Sequence, residues 1–247
     1  MKERRGSRIT LFPAARPCAV LSNMVDSTAA ATAHPTVPLR PMTVPAHEAE
    51  ARSRSFHQVM AQRRTVRDYS TRPIPDGVID WAVRTAATAP SGAHIQPWRF
   101  VVITDPERKR ALREAAEAEE REFYAHRASE EWLAALAPIG TDWQKPFLQD
   151  APAVIVVFEV HKGPQSPRPY YTKESVGIAV GLLLASLHQA GLATLTHTPS
   201  PMRFLNEICE RPAEERASYV IPVGYPADGA RVPDLHRKDL DEILVRL

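Results

Sequence analysis

Three arginines and a threonine stand within five consecutive positions, Arg63-Arg64-Thr65-Val66-Arg67. Guanidinium groups form paired, charge-assisted hydrogen bonds to several oxygens of one phosphate, and a hydroxyl can add another. The cluster therefore fits a phosphate monoester, although most arginine clusters simply face solvent. A second basic group, Arg231 with His236-Arg237-Lys238, lies near the C-terminus. Neither GxxxxGK[ST] nor GxGxxG occurs, which argues against ATP and against a Rossmann nicotinamide site.

Glu120 and Tyr124 are four residues apart in a polar segment, and Lys145 follows in Asp142-Trp143-Gln144-Lys145. Residues four apart share one helix face. A carboxylate, a phenol and an ammonium together complement an amino acid zwitterion. Taken alone, however, the charged run at 119–122 is typical of a solvated helix.

The segment 88–98, TAPSGAHIQPW, joins a predicted helix to a predicted strand. Pro90 would end the helix, and the Ser-Gly-Ala turn would expose backbone N–H groups to a planar ligand. A tight connection into the strand is the simpler explanation of this segment by itself.

Hydrophobic periodicity predicts helices over 48–63, 76–88, 105–128 and 174–190, and strands over 99–104, 151–160, 193–198 and 218–225. The third helix starts with Asp105 as its cap and Pro106 in its first turn. Helices alternating with short apolar strands predict an α/β fold, an α+β sandwich with one central sheet flanked by helices.

The α-helix predicted over 174–190 carries Gly177, Gly181 and Ala185 on one face, because they recur every fourth residue. Such a face allows another backbone to approach closely. Either the chain's own sheet or a second subunit could fill it.

The chain has 247 residues, a net charge of +2 and two cysteines. The charge is too small to predict a nucleic acid partner, and no metal site is expected from the cysteine spacing. No segment reaches the roughly 20 apolar residues of a membrane span. We therefore expect a soluble, cytoplasmic protein in a reducing compartment. Residues 1–48 lack periodicity and are interpreted as a disordered or misannotated extension, with Met24 as an alternative start, followed by one domain over 49–247.

Three motifs, R-R-[ST]-V-R, A-P-S-G-A-H-x-x-P-W and V-G-Y-P followed by V-P-D-L-x-R-K, resemble in this order the FMN-dependent nitroreductase superfamily. The resemblance covers residues 55–247 and is strongest to its iodotyrosine deiodinase branch. It implies a nitroreductase-like fold, a domain-intertwined homodimer and one FMN per subunit at the dimer interface. Because the animal deiodinases carry an N-terminal membrane anchor that this chain lacks, the resemblance implies a soluble, bacterial relative.

The resemblance also implies roles for individual residues. The FMN phosphate and ribityl group would be held by Arg63, Arg64, Thr65, Arg67 and Arg237. The isoalloxazine would lie against Pro90, Ser91 and Gly92. Thr196 and Thr198 would approach the flavin N5 in a catalytic role and favour single-electron transfer over hydride transfer. His197 alternates with these threonines, should face the other way, and is assigned no role.

The resemblance further implies reductive deiodination of halogenated tyrosines to tyrosine and halide. Glu120 would bind the α-ammonium, Lys145 the α-carboxylate, Tyr124 a position between them, and the Ala93 N–H the phenolate. A lid over about 110–148 would carry the three side chains. We expect this lid to be mobile without substrate, since its charges would then have no partner.

Three alternatives remain open from the sequence. A broad nitro- or quinone reductase on the same fold would use NAD(P)H and have no need for Glu120, Tyr124 or Lys145. A flavin-cleaving benzimidazole synthase would consume FMN with oxygen. A non-catalytic sensor of flavin or aromatic amino acids would bind halotyrosine without releasing halide.

Overall fold

The computed structural model describes residues 34–162 and 169–247, so Cys18, Met24 and most of the predicted extension lie outside the described residues. One antiparallel sheet organises the chain. Its strands are β1 (Trp98–Ile103), β2 (Ala153–Val160), β3 (Ala193–Thr194) and β4 (Glu215–Gly224), in the spatial order β1-β2-β4-β3. The central strand β2 is almost continuously apolar because both of its faces are buried.

Helices cover both faces of this sheet. One face carries α3 (Pro106–Glu122), α5 (Phe147–Asp150) and α7 (Phe204–Ile208), and its core includes Leu112, Leu148 and Leu205. The opposite face carries α2 (Val78–Ala86) and α6 (Thr172–Gln189), with Leu183 and Leu187 in its core. The remaining helices are α1 (Ala46–Ala61), α4 (Glu130–Leu136) and α8 (Leu240–Ile243). The predicted sandwich of one sheet between helices is confirmed.

The long polar helix is shorter than predicted. Asp105 caps α3 as expected, accepting a hydrogen bond from the Arg108 N–H at 2.8 Å, but the α-helix ends at Glu122. A single π-helical turn over Phe123–Arg127 follows, and Ala128 is extended. Ser129 then caps α4, a helix that the periodicity did not predict. The prediction of an unbroken helix over 105–128 is therefore wrong at its C-terminal end.

The strand predicted over 193–198 is also too long, because β3 ends at Thr194. The same register continues to His197, which exchanges two backbone hydrogen bonds of 2.8 Å with Val220. Between the Thr194–Val223 and His197–Val220 pairs, Leu195 faces Pro222, which has no N–H to donate. The Pro222 carbonyl accepts the Tyr69 hydroxyl at 3.1 Å instead. A proline on the neighbouring strand thus interrupts the ladder.

The small-residue face of α6 is not packed against the chain's own sheet. A Cβ atom built at Gly177 or Gly181 meets no atom within 4 Å among the described residues. Ile178 on the same helix is 47% exposed. The described residues of the subunit therefore leave this face open at Gly177 and Gly181.

None of the helices in the described part of the chain is both long enough and apolar enough to cross a membrane.

Candidate active site

Four side chains from three separate segments of the chain meet above one face of the sheet: Glu120, Tyr124, Lys145 and His197. We call this group the charged pocket. Lys145 Nζ lies 3.3 Å from Glu120 Oε2, and their side chains are only 2% and 13% exposed. The Tyr124 ring centroid lies 5.5 Å from the same Nζ. The structure thus brings together the three residues that the sequence assigned to a zwitterion.

Hydrogen bonds fix the segment that carries Lys145 against α3. The Lys145 N–H donates to Glu117 Oε1 at 2.8 Å, and Arg113 Nε donates to the same oxygen at 2.8 Å. The Lys145 ammonium donates to the Asp142 carbonyl, and the Tyr124 hydroxyl donates to the Thr141 carbonyl at 3.2 Å. The backbone of Lys145 is therefore anchored to Glu117, which lies one helical turn before Glu120 on α3.

Burial disfavours both charges of the pair. It raises the pKa of Glu120, although Lys145 opposes the shift, and it lowers the pKa of Lys145, although Glu120 opposes it. A buried ion pair whose desolvation outweighs its attraction contributes little net stability. The expectation that these charges have no partner without substrate is wrong, because they neutralise each other.

His197 completes the pocket, although the sequence analysis assigned it no role. Its side chain faces inward while Thr196 and Thr198 are exposed, as the alternation predicts. Nε2 lies 3.8 Å from Glu120 Oε1. Burial, together with Lys145 and Arg67, lowers the pKa of His197 to about 3. Alternation showed which way His197 points, but only the fold places Glu120 opposite it.

The arginine cluster, defined here as Arg63, Arg64 and Arg237, lies where α1 ends. Arg237 donates to the Ala61 carbonyl at 3.0 Å and to the Arg63 carbonyl at 2.7 Å, and Arg64 donates to the Pro233 carbonyl. Within residues 34–162 and 169–247, no carboxylate forms an ion pair with these three side chains. Burial lowers the pKa of Arg63, and the other two arginines add to the shift. The cluster therefore concentrates positive charge that lacks a counter-ion.

Arg67 stands apart from this cluster and borders the charged pocket. Its charge lowers the pKa of both Lys145 and His197. Its Nε is buried and has no hydrogen-bond partner among the described residues. Thr65 reaches the sheet instead, pairing in parallel with Thr194. The segment 63–67 thus connects the arginine cluster to the charged pocket.

The segment 90–93 lies elsewhere. It precedes Trp98, which pairs with Glu159 at one end of β2, whereas Thr194 lies across β4 from Ala153 at the other end. With strands about 4.8 Å apart and about 3.3 Å per residue, these corners of the sheet are separated by about 25 Å. Gly92 packs beneath Tyr170 and Tyr171, next to α6 on the opposite face from α3. The segment that leads into Trp98 and the segment that pairs with Thr194 thus meet the sheet at opposite corners.

The backbone after this turn is unusual. Ala93, His94 and Gln96 have φ angles of 47°, 56° and 52°, in a region of backbone conformation that residues other than glycine rarely adopt. The Ser91 hydroxyl accepts the Gln96 N–H at 2.9 Å and holds the turn closed. Such strain is concentrated at functional sites, and here it presents Ala93 at the exposed surface.

A large groove is separate from all of these residues. It has a volume of about 1270 Å³ and is lined by α7 and the start of β4, including Arg203, Glu207 and Arg216. No predicted site residue lines it. We place the candidate site at the charged pocket because buried, perturbed charges mark functional sites more specifically than volume does.

Comparison with known proteins gives a consistent result. A family model described as the nitroreductase family matches residues 60–225. The chain is 56% identical over 199 residues to the iodotyrosine deiodinase of Haliscomenobacter hydrossis, covering 79% of this chain and 90% of that protein. It is 44% identical over 218 residues to the Danio rerio iodotyrosine deiodinase, covering 85% and 73%. A crystal structure of oxidized iodotyrosine deiodinase bound to FMN and 3-iodo-L-tyrosine superposes with a TM-score of 0.67 at 33% identity, covering 77% and 97%.

Proposed function

Because the chain belongs to the iodotyrosine deiodinase branch of the nitroreductase family, we propose that it removes halide reductively from halogenated tyrosines with bound FMN. Two electrons and one proton convert the halotyrosine to tyrosine and halide. FMN, when bound, supplies the electrons. Their transfer one at a time, with Thr196 and Thr198 near the flavin, is part of the proposal. The observation that carries the proposal is the buried Glu120–Lys145 pair in the charged pocket.

The arginine cluster fits the FMN phosphate. Its Arg64 and Arg237 guanidinium groups donate to neutral carbonyls, and no carboxylate pairs with any of its three arginines among the described residues, so a phosphate dianion would provide the missing negative charge. Arg67, with its buried and unpartnered Nε, offers a further donor next to the charged pocket. We propose that Arg63, Arg64, Thr65, Arg67 and Arg237 hold the cofactor.

The charged pocket fits the zwitterion of an amino acid, because the two charges of the zwitterion can replace the internal Glu120–Lys145 ion pair. Glu120 and Lys145 already satisfy each other at 3.3 Å, and a substrate must separate them. A zwitterion brings an ammonium for Glu120 and a carboxylate for Lys145, so neither buried charge is left alone. A phenol without the amino acid group would offer no replacement. Since an unpaired buried charge is costly, the pocket selects the zwitterion.

We further propose that the active site is completed by a second copy of the chain. Within one chain, the segment 90–93 leads into the corner of the sheet at Trp98, whereas Arg67 follows Thr65 at the corner near Thr194, so we infer that a single mononucleotide does not reach both groups. The open face of α6 and the exposed C-terminal residues Leu240, Ile243 and Val245 offer surfaces for that copy. A symmetric dimer would supply the turn from one subunit and the arginines from the other.

Substitution at Gly181 tests the dimer. If the α6 face were exposed in solution, Gly181→Ala would raise stability by up to about 1 kcal/mol, because alanine favours helix. A Gly181→Leu variant at an interface should instead separate the subunits and lose FMN, as measured by light scattering and flavin absorbance. Ala111→Leu, at an exposed position of α3 outside the proposed interface, serves as the control. A monomer that retains FMN would contradict the proposal.

Product analysis tests the activity itself. Reduced, FMN-loaded protein mixed with 3-iodotyrosine should release tyrosine and iodide in equal amounts. Binding without iodide release would indicate a sensor. Efficient NAD(P)H-dependent reduction of nitro compounds or quinones, without dehalogenation, would indicate a general reductase. The small number of cysteines supports a cytoplasmic location for this activity, as part of the same proposal.

A further inference from the structure

His197 is held in a fixed position by both its backbone and its ring. Its main chain exchanges two hydrogen bonds of 2.8 Å with Val220. Its imidazole packs edge-on against the buried ring of Phe147, with 5.9 Å between the ring centroids. The side chain is only 10% exposed. A ring constrained in this way can hold a neighbouring side chain in one orientation.

The one polar atom that His197 turns toward the charged pocket is Nε2. It is fully buried and has no hydrogen-bond partner among the described residues. Buried polar atoms without a partner are rare and costly. The nearest carboxylate oxygen is Glu120 Oε1 at 3.8 Å, while Glu120 Oε2 is the oxygen that faces Lys145 at 3.3 Å. The two oxygens of Glu120 are therefore divided between the histidine and the lysine.

The surrounding charges favour a neutral imidazole. Lys145 and Arg67 disfavour a second proton, and burial adds to their effect, so the pKa of His197 is lowered to about 3. A neutral imidazole carries one N–H. Glu120 is the acceptor facing Nε2, which selects the tautomer with its proton there.

We propose that His197 is a positioning residue: when the substrate displaces Lys145, the Nε2–H closes the 3.8 Å gap to Glu120 Oε1 and forms a hydrogen bond that keeps Oε2 directed at the α-ammonium group of the substrate. The inference rests on the proposed function, in which Lys145 leaves Glu120 and pairs with the α-carboxylate. During that exchange Glu120 loses its cationic partner. His197 is then the fixed donor that prevents the carboxylate from rotating away.

The role predicts a specific loss of substrate affinity. His197→Leu removes the donor and keeps an apolar side chain against Phe147, whereas His197→Gln keeps an N–H donor of similar reach. In the FMN-loaded protein, the Kd for 3-iodotyrosine should rise about 10-fold or more in His197→Leu and substantially less in His197→Gln. FMN affinity should be unchanged. His161→Leu, at the far end of β2, is the matched control and should bind as the wild type does.

A double-mutant cycle with Glu120→Gln distinguishes positioning from direct contact. If His197 acts through Glu120, His197→Leu should add almost nothing to the defect of Glu120→Gln. Additive losses, or loss without rescue by glutamine, would overturn the inference. Equal losses in His197→Leu and His161→Leu would show a general structural effect and overturn it as well. If the wild-type protein does not bind 3-iodotyrosine, the proposed function fails first and the inference falls with it.

Discussion

The charged pocket and the arginine cluster are linked by the segment 63–67, yet their charges are balanced in different ways. In the pocket, Glu120 and Lys145 neutralise each other. In the cluster, the Arg64 and Arg237 guanidinium groups donate to neutral carbonyls, and none of the three arginines pairs with a carboxylate among the described residues. The cluster therefore needs a ligand that brings negative charge, whereas the pocket needs one that brings both signs at once. One region is suited to a phosphate and the other to a zwitterion.

Glu120→Gln should produce the largest effect, because it removes one side of the balanced pair. Lys145 would remain 2% exposed without a counter-charge. Removing one partner of a buried pair costs about 3–5 kcal/mol. We expect kcat/KM for 3-iodotyrosine to fall roughly 100-fold or more, with FMN affinity nearly unchanged.

The neighbouring Glu119 provides the control for this change. It pairs at 3.1 Å with Arg127 near the surface, outside the pocket. Glu119→Gln should leave the kinetics close to those of the wild type. Similar losses in the two variants would mean that the pocket is not distinguished from an ordinary charged helix face.

Arg237→Ala should act on the other region and leave the pocket intact. It removes one of the proposed charged contacts to the FMN phosphate and the hydrogen bond to the Arg63 carbonyl. Loss of a hydrogen bond to a charged group costs about 1.5–3 kcal/mol, so FMN affinity should fall roughly 10- to 100-fold, as measured by equilibrium dialysis. Lys238→Ala, an adjacent exposed cation, is the control. Equal retention of FMN by the two variants would contradict the assignment of the arginine cluster.

Acid should destabilise the folded protein through His197, and this effect should be smaller than those of the substitutions above. Unfolded histidine takes up a proton below pH 6.5, whereas the pKa of buried His197 is lowered to about 3. Stability is therefore lost as the pH falls through this window. Between pH 7 and pH 5 the loss from this residue should be about 2 kcal/mol.

Urea unfolding of the FMN-loaded protein at several pH values measures this effect. His197→Leu should reduce the loss of stability between pH 7 and pH 5 by the same amount. An unchanged pH slope in that variant would show that His197 is not buried as a neutral group.

The sequence predicted those parts of the fold that depend on local pattern. The apolar run of β2 and the Asp105-Pro106 start of α3 carry their signals within a few residues. The end of β3 carries no such local signal, because it depends on Pro222 in a strand that comes later in the chain. The short helices α4, α5, α7 and α8 are also missed, since four to seven residues show too little periodicity.

The candidate site divides in the same way. The spacing of Glu120 and Tyr124 was readable from the sequence because it lies within one helical segment. The pairing of Glu120 with Lys145 was not, because it requires the fold to bring the segment 141–145 back to α3. The inward position of His197 followed from strand alternation, but its neighbour came from another element. The roles of these residues remain predictions that kinetics must test.

The ratio of kcat/KM for 3-iodotyrosine to that for 2-iodophenol most directly tests the exchange of an internal ion pair for a zwitterion. Both compounds carry iodine ortho to a phenol, but only the first can replace both partners of the Glu120–Lys145 pair. The wild-type enzyme should prefer 3-iodotyrosine roughly 1000-fold or more, and Glu120→Gln should lose most of that preference. Equal turnover of the two compounds by the wild type would contradict the account.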